Sequence, residues 1–160
     1  MSVEDVIQGY FPNLRGQAWK VTSRVTNDYN CLAWVAGETH RRWDLDPNYY
    51  WPIPEREQTI PAFVAAYETR GYVECDNGEL ENGFEKIAIY AIGKKPLHAA
   101  RQLPNGRWTS KLGPSFDIEH ETVEGVASGI GDANYGTVAV YMKRSVIFRG
   151  GITHEPYEKE

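Results

Sequence analysis

The spacing of apolar residues along this chain changes about halfway. Between residues 59 and 71, Ile60, Phe63, Val64 and Tyr67 recur at i, i+3, i+4 and i+7, the one-sided stripe of an amphipathic helix. Thr59 stands at its start, Pro61 falls in its first turn and Gly71 ends it. A shorter helix is expected to start at or near Cys31, because Asn30 is a favoured cap and Gly37 suits the position just past a helix end. Past residue 85 the pattern becomes that of strands, over 86–92, 97–103, 107–112 and 136–143, the last open to extension toward 148. Asn105-Gly106 between the second and third of these is a strong hairpin signal. Residues 1–29 read as short turns with an extended piece over 18–25, residues 38–58 as a long ordered aromatic loop, and 74–85 as acidic turns. Helices first and an antiparallel meander afterwards make the expected class α+β, in one domain over 1–160.

Composition narrows the function. A length of 160 residues buries a real core without metal or disulfide staples. A formal charge of −5 leaves no basic footprint for nucleic acid. No stretch approaches a membrane span, and the acidic start Met1-Ser-Val-Glu-Asp5 is not a secretory signal, so the expectation is a cytoplasmic protein without a membrane partner; export without a signal would leave the same sequence. The four histidines are scattered and match no ligand spacing, so neither metal nor cofactor is expected. His40, followed by Arg41 and Arg42, reads as part of a solvated turn.

The two cysteines are too few for a disulfide framework, but they differ in setting. Cys31 opens a helix, where partial positive charge favours a thiolate, whereas Cys75 lies between Glu74 and Asp76, which disfavour one. Taken alone, Cys31 is more readily a small buried apolar residue. His98 opens a strand just before the hairpin, where one ring nitrogen can face a thiol while the other is oriented by a third group.

Four segments carry a resemblance: Asn30-Cys31-Leu-Ala-Trp-Val-Ala-Gly37, Glu85-Lys-Ile-Ala-Ile-Tyr-Ala91, His98-Ala-Ala-Arg-Gln-Leu103 and Gly106-Arg-Trp-Thr-Ser-Lys-Leu-Gly113. Over roughly 28–145 they resemble an uncharacterised bacterial family, which in turn looks like a distant member of the papain-like NlpC-type cysteine peptidases and amidases. The resemblance implies a Cys-bearing helix packed on an antiparallel sheet, with Cys31 as nucleophile and His98 as base. It also implies a third polar residue on the strand after the hairpin, usually His, Asn or Gln, and this chain has Ser110 there. Loop length matters: a two-residue loop turns Thr109 and Lys111 toward His98, a three-residue loop turns Ser110. Asp117 and Glu119 are alternative orienters, each otherwise a solvated loop carboxylate, Glu119 more readily than Asp117. For the oxyanion, the N–H of Cys31 with Tyr29 or Asn30 is the candidate. Trp43 and Trp51 either line a cleft or cover the core, the latter being commoner for such residues.

Three readings follow. One is a cysteine hydrolase or acyl transferase acting on an amide bond in a peptide, a peptidoglycan fragment or a protein. Another is an inactive papain-like fold used as a binding, immunity or accessory module. The last is a carbohydrate-binding domain built on Trp43, Tyr50 and Trp51.

Overall fold

The computed structural model describes residues 2–23, 31–37, 41–112 and 116–146. Among these the fold is α+β, built on a seven-stranded antiparallel sheet. The elements are α1 (Val3–Tyr10), β1 (Trp19–Ser23), α2 (Cys31–Val35), α3 (Ile60–Glu68), β2 (Val73–Cys75), β3 (Phe84–Ile92), β4 (Lys95–Gln102), β5 (Trp108–Lys111), β6 (Asp117–His120) and β7 (Thr137–Ser145). Short 3-10 turns occupy Pro12–Gly16, Val123–Val126 and Gly131–Ala133. The strand order is β1-β6-β5-β4-β3-β7-β2, so β3 to β6 form a meander of sequential neighbours.

The central strands are buried on both faces, and their alternation sorts two cores. Ile87, Ile89, Ala99 and Met142 face α3, α2 and the aromatic loop, alongside Trp43, Trp51, Phe63 and Tyr67. Ala88, Tyr90, Ala100, Trp108 and Ile118 face α1 and the 3-10 turns, alongside Ile7, Phe11, Leu14 and Val126. A strand covered on both sides is expected to read as a continuous apolar run, as residues 87–91 do.

Thr59 caps α3, its hydroxyl accepting from the Ala62 N–H at 3.3 Å, and Phe63, Val64 and Tyr67 are buried on it. α1 departs from the expected turns. Ser2 and Asp5 form a reciprocal capping box at its start, and its only buried residue is Ile7, too sparse a stripe to signal a helix. β6 departs too: Asp117, Ile118, Glu119 and His120, expected as loop, pair with both β1 and β5. β2, within the expected acidic turns, is a three-residue edge strand on β7.

The hairpin between β4 and β5 settles the face of Ser110. Arg101 pairs with Thr109 and Gln102 with Trp108, and the Leu103 N–H donates to the Arg107 carbonyl at 2.7 Å. That register leaves three loop residues, Pro104, Asn105 and Gly106, with Gly106 at φ +88° taking the left-handed position that such a loop requires.

Candidate functional site

α2 is five residues long, too short to be stable alone. It is held from the core side: the Tyr67 hydroxyl donates to the Leu32 carbonyl at 2.9 Å and the Tyr72 hydroxyl to that of Val35 at 3.5 Å. Its own Ala33 and Val35 are fully buried, and it packs against both β4 and β5. This sets Cys31, itself partly buried, at the end of α2 with its sulfur against the backbone N–H groups of Ala99, Leu32 and Cys31, and within reach of the Lys111 charge. Burial outweighs those favourable groups and pushes the thiol up to about 11.

His98 is fully buried on β4, next in sequence to Ala99. The three-residue loop places Ser110 on its face of the sheet, and Nε2 of His98 lies 3.2 Å from Ser110 Oγ. Ser110 Oγ is in turn 2.8 Å from Nε2 of His120, whose Nδ1 is 2.8 Å from the Thr122 carbonyl. His120 stands opposite Trp108 in the β5–β6 ladder, which puts its side chain on the face of Ser110.

This chain has one direction. Burial holds both imidazoles neutral, His98 at about 3 with the neighbouring His120 adding to the shift, and His120 at about 4 despite its bond to Thr122. A carbonyl only accepts, so the proton of His120 is on Nδ1 and its Nε2 carries the lone pair. The Ser110 hydroxyl therefore donates to His120, and its oxygen accepts from Nε2–H of His98. Nδ1 of His98 is left as a lone pair, and among the described residues, Cys31 included, it has no hydrogen-bond partner. Tyr135 stacks flat on the His98 ring, with centroids 4.2 Å apart and planes 8° apart, and Tyr90 lies against it at 5.2 Å.

The structure thus brings His98 and Ser110 together and adds His120, which the sequence reading left out. Its signal was the alternation within 117–120: with Ile118 inward, His120 shares its face. Asp117 does not reach His98. β6 sets it opposite Lys111, on the other face of the sheet, where Oδ1 is 3.7 Å from Lys111 Nζ and both side chains are buried. Glu119 pairs with Arg107 instead of standing free in solvent. Trp43 and Trp51 are core residues rather than a cleft wall: Trp43 is closed to solvent, stacked on Tyr67 at 5.4 Å and edge-on to Trp51 at 6.2 Å. Tyr50 is covered by Arg41 at 3.5 Å, and its hydroxyl takes a 2.9 Å bond from Arg70, leaving no open platform for a sugar. Tyr29, Asn30 and His40 lie outside the described residues. Cys75 stands on the edge strand β2, its sulfur 3.5 Å from the Asn77 carbonyl. Among the described residues no helix is long and apolar enough to cross a membrane.

Compared with known families, residues 20–143 match the sequence model of a domain of unknown function, DUF7689. No curated protein and no solved structure matches the chain.

Proposed function

The chain belongs to the DUF7689 family, and from the geometry around His98 we propose that it is a papain-like cysteine hydrolase or acyl transferase acting on the amide bond of a peptide, peptidoglycan fragment or protein. The observation that carries this reading is the directional chain from His98 through Ser110 and His120 to the Thr122 carbonyl. It fixes one tautomer and keeps the Nδ1 lone pair free, which is what a general base requires. The base sits one residue from the backbone N–H against which the Cys31 sulfur rests.

In this reading the resting pair is a neutral thiol and a neutral imidazole. As substrate binds, Nδ1 takes the thiol proton while the sulfur attacks the carbonyl carbon, giving a tetrahedral oxyanion. Its collapse breaks the C–N bond, and Nδ1–H returns the proton to the leaving amine. Water, or another amine in a transferase, then opens the thioester. Catalytic pairs without substrate are often not hydrogen-bonded and tighten on binding, which is the step this reading requires of Cys31 and His98.

A second reading, an inactive papain-like binding module, is favoured by the same burial. A thiol pushed up to about 11 beside an imidazole pushed down to about 3 is far from an ion pair. Iodoacetamide alkylation across pH, with Cys75→Ser as parent and His98→Ala added, separates the two. The hydrolase reading expects alkylation of Cys31 at neutral pH, slowed about 100-fold by His98→Ala. An ordinary free-thiol profile, or one rising only in strong alkali, unchanged in either case by removing His98, assigns the inactive module.

A further inference from the structure

Amide chemistry through Cys31 needs a donor for the oxygen that becomes negative, and the sequence candidates for a side-chain donor, Tyr29 and Asn30, lie outside the described residues. The structure offers another. The buried tyrosines of this protein spend their hydroxyls on backbone carbonyls: Tyr67 on Leu32, Tyr72 on Val35 and Tyr90 on Val123. Tyr135 differs: it is only partly buried, its hydroxyl makes no such bond to any described residue, and its ring lies flat against His98 at 4.2 Å and tilted on Phe11 at 5.6 Å.

The local backbone is built to hold that ring. Asn134 Oδ1 accepts the Gly136 N–H at 3.0 Å, closing a turn around Tyr135. The Ser128 N–H donates to the Gly136 carbonyl at 2.8 Å, and the Ile130 N–H to the Tyr10 carbonyl at 2.9 Å, tying the segment to itself and to the end of α1. Gly136 adopts φ +76°, and a Cβ there would fall 2.0 Å from the Ala91 carbonyl oxygen, so the segment lies directly on β3. Burial, with the charge of a Cys31 thiolate adding to it, holds the Tyr135 phenol above its ordinary range, so its hydroxyl stays protonated and able to donate.

Building on the hydrolase reading, we propose that Tyr135 is a catalytic residue: its hydroxyl binds the carbonyl oxygen of the substrate and then the oxyanion formed when Cys31 attacks. Its ring lies flat on the His98 imidazole, and its hydroxyl, bonded to no described residue, is available to donate to the substrate oxygen.

The test uses p-nitrophenyl acetate as the acyl donor. Sulfur attacks the ester carbonyl, p-nitrophenolate leaves, and an acetyl thioester remains on Cys31, the thiol proton going to His98. In a Cys75→Ser parent this gives a burst of p-nitrophenolate that Cys31→Ala abolishes. Tyr135→Phe keeps the ring and removes only the hydroxyl; it is expected to slow acylation about 100-fold while alkylation by iodoacetamide, a displacement at saturated carbon with no oxyanion, stays within about twofold. Acylation at the parent rate in Tyr135→Phe overturns the inference and leaves the hydrolase reading standing. Equal slowing of acylation and alkylation also overturns it, assigning Tyr135 to the stack alone. A parent without a Cys31-dependent burst removes the hydrolase reading and this inference together.

Discussion

At the scale of residues, His120 sets the direction of the hydrogen-bond chain that ends on His98. The Thr122 carbonyl decides its tautomer, the tautomer decides which way Ser110 donates, and Ser110 decides which nitrogen of His98 keeps its lone pair. Two imidazoles buried as neutral groups also set a pH dependence. Both have folded values, about 3 and about 4, below the ordinary 6.5. The unfolded chain therefore takes up protons below 6.5 that the folded chain refuses, so their contribution is complete above that pH and is lost as pH falls through 6.5 toward 4 and 3. Each histidine costs up to about 1.4 kcal/mol of stability per pH unit across its window. Urea unfolding at pH 7.5 and pH 5 is expected to show this loss, and His120→Phe to halve its slope; a flat response in the parent contradicts burial of neutral rings. Arg107 and Glu119, which act on His120 in opposite directions, leave burial as the dominant cause.

At the scale of elements, the three-residue hairpin loop is the decisive feature. Because strand side chains alternate, one residue fewer between β4 and β5 would present Thr109 and Lys111 to His98 and turn Ser110 away. The Asn105-Gly106 signal was plain in the sequence, but loop length depends on where pairing closes, which the tertiary register decides. The segment bearing Tyr135 has its own fixed point. Gly136→Ala forces a side chain into a left-handed conformation and against the Ala91 carbonyl. It is expected to cost about 2–4 kcal/mol and lower Tm by about 5–15 °C in a calorimetric scan. An unchanged Tm would mean that the 127–136 segment does not rest on β3. α1 and β6 escaped the sequence reading for opposite reasons: α1 buries one residue and so leaves no stripe, and β6 is four residues with a single aliphatic one.

At the scale of the whole molecule, one sheet separates two cores, and that separation reassigns the aromatic loop. Trp43 sits in the core shared with α2 and α3, so Trp43→Ala is expected to cost about 3–5 kcal/mol in urea unfolding. A cost below about 1 kcal/mol would return it to the surface. The same sheet sends Asp117 to one face with Lys111 and Ser110 to the other with His98, a division no linear spacing reveals. What the sequence determined by itself was local: the α+β class, the short helix from Cys31, the capped helix after Thr59 and the strands around Asn105-Gly106. Each is a matter of period, caps and turn residues within a few positions. Which polar groups meet was set by the fold, because the tautomer of His98, the burial that keeps it neutral and the stack of Tyr135 upon it depend on residues 12 to 37 positions away, brought together by strand register and packing.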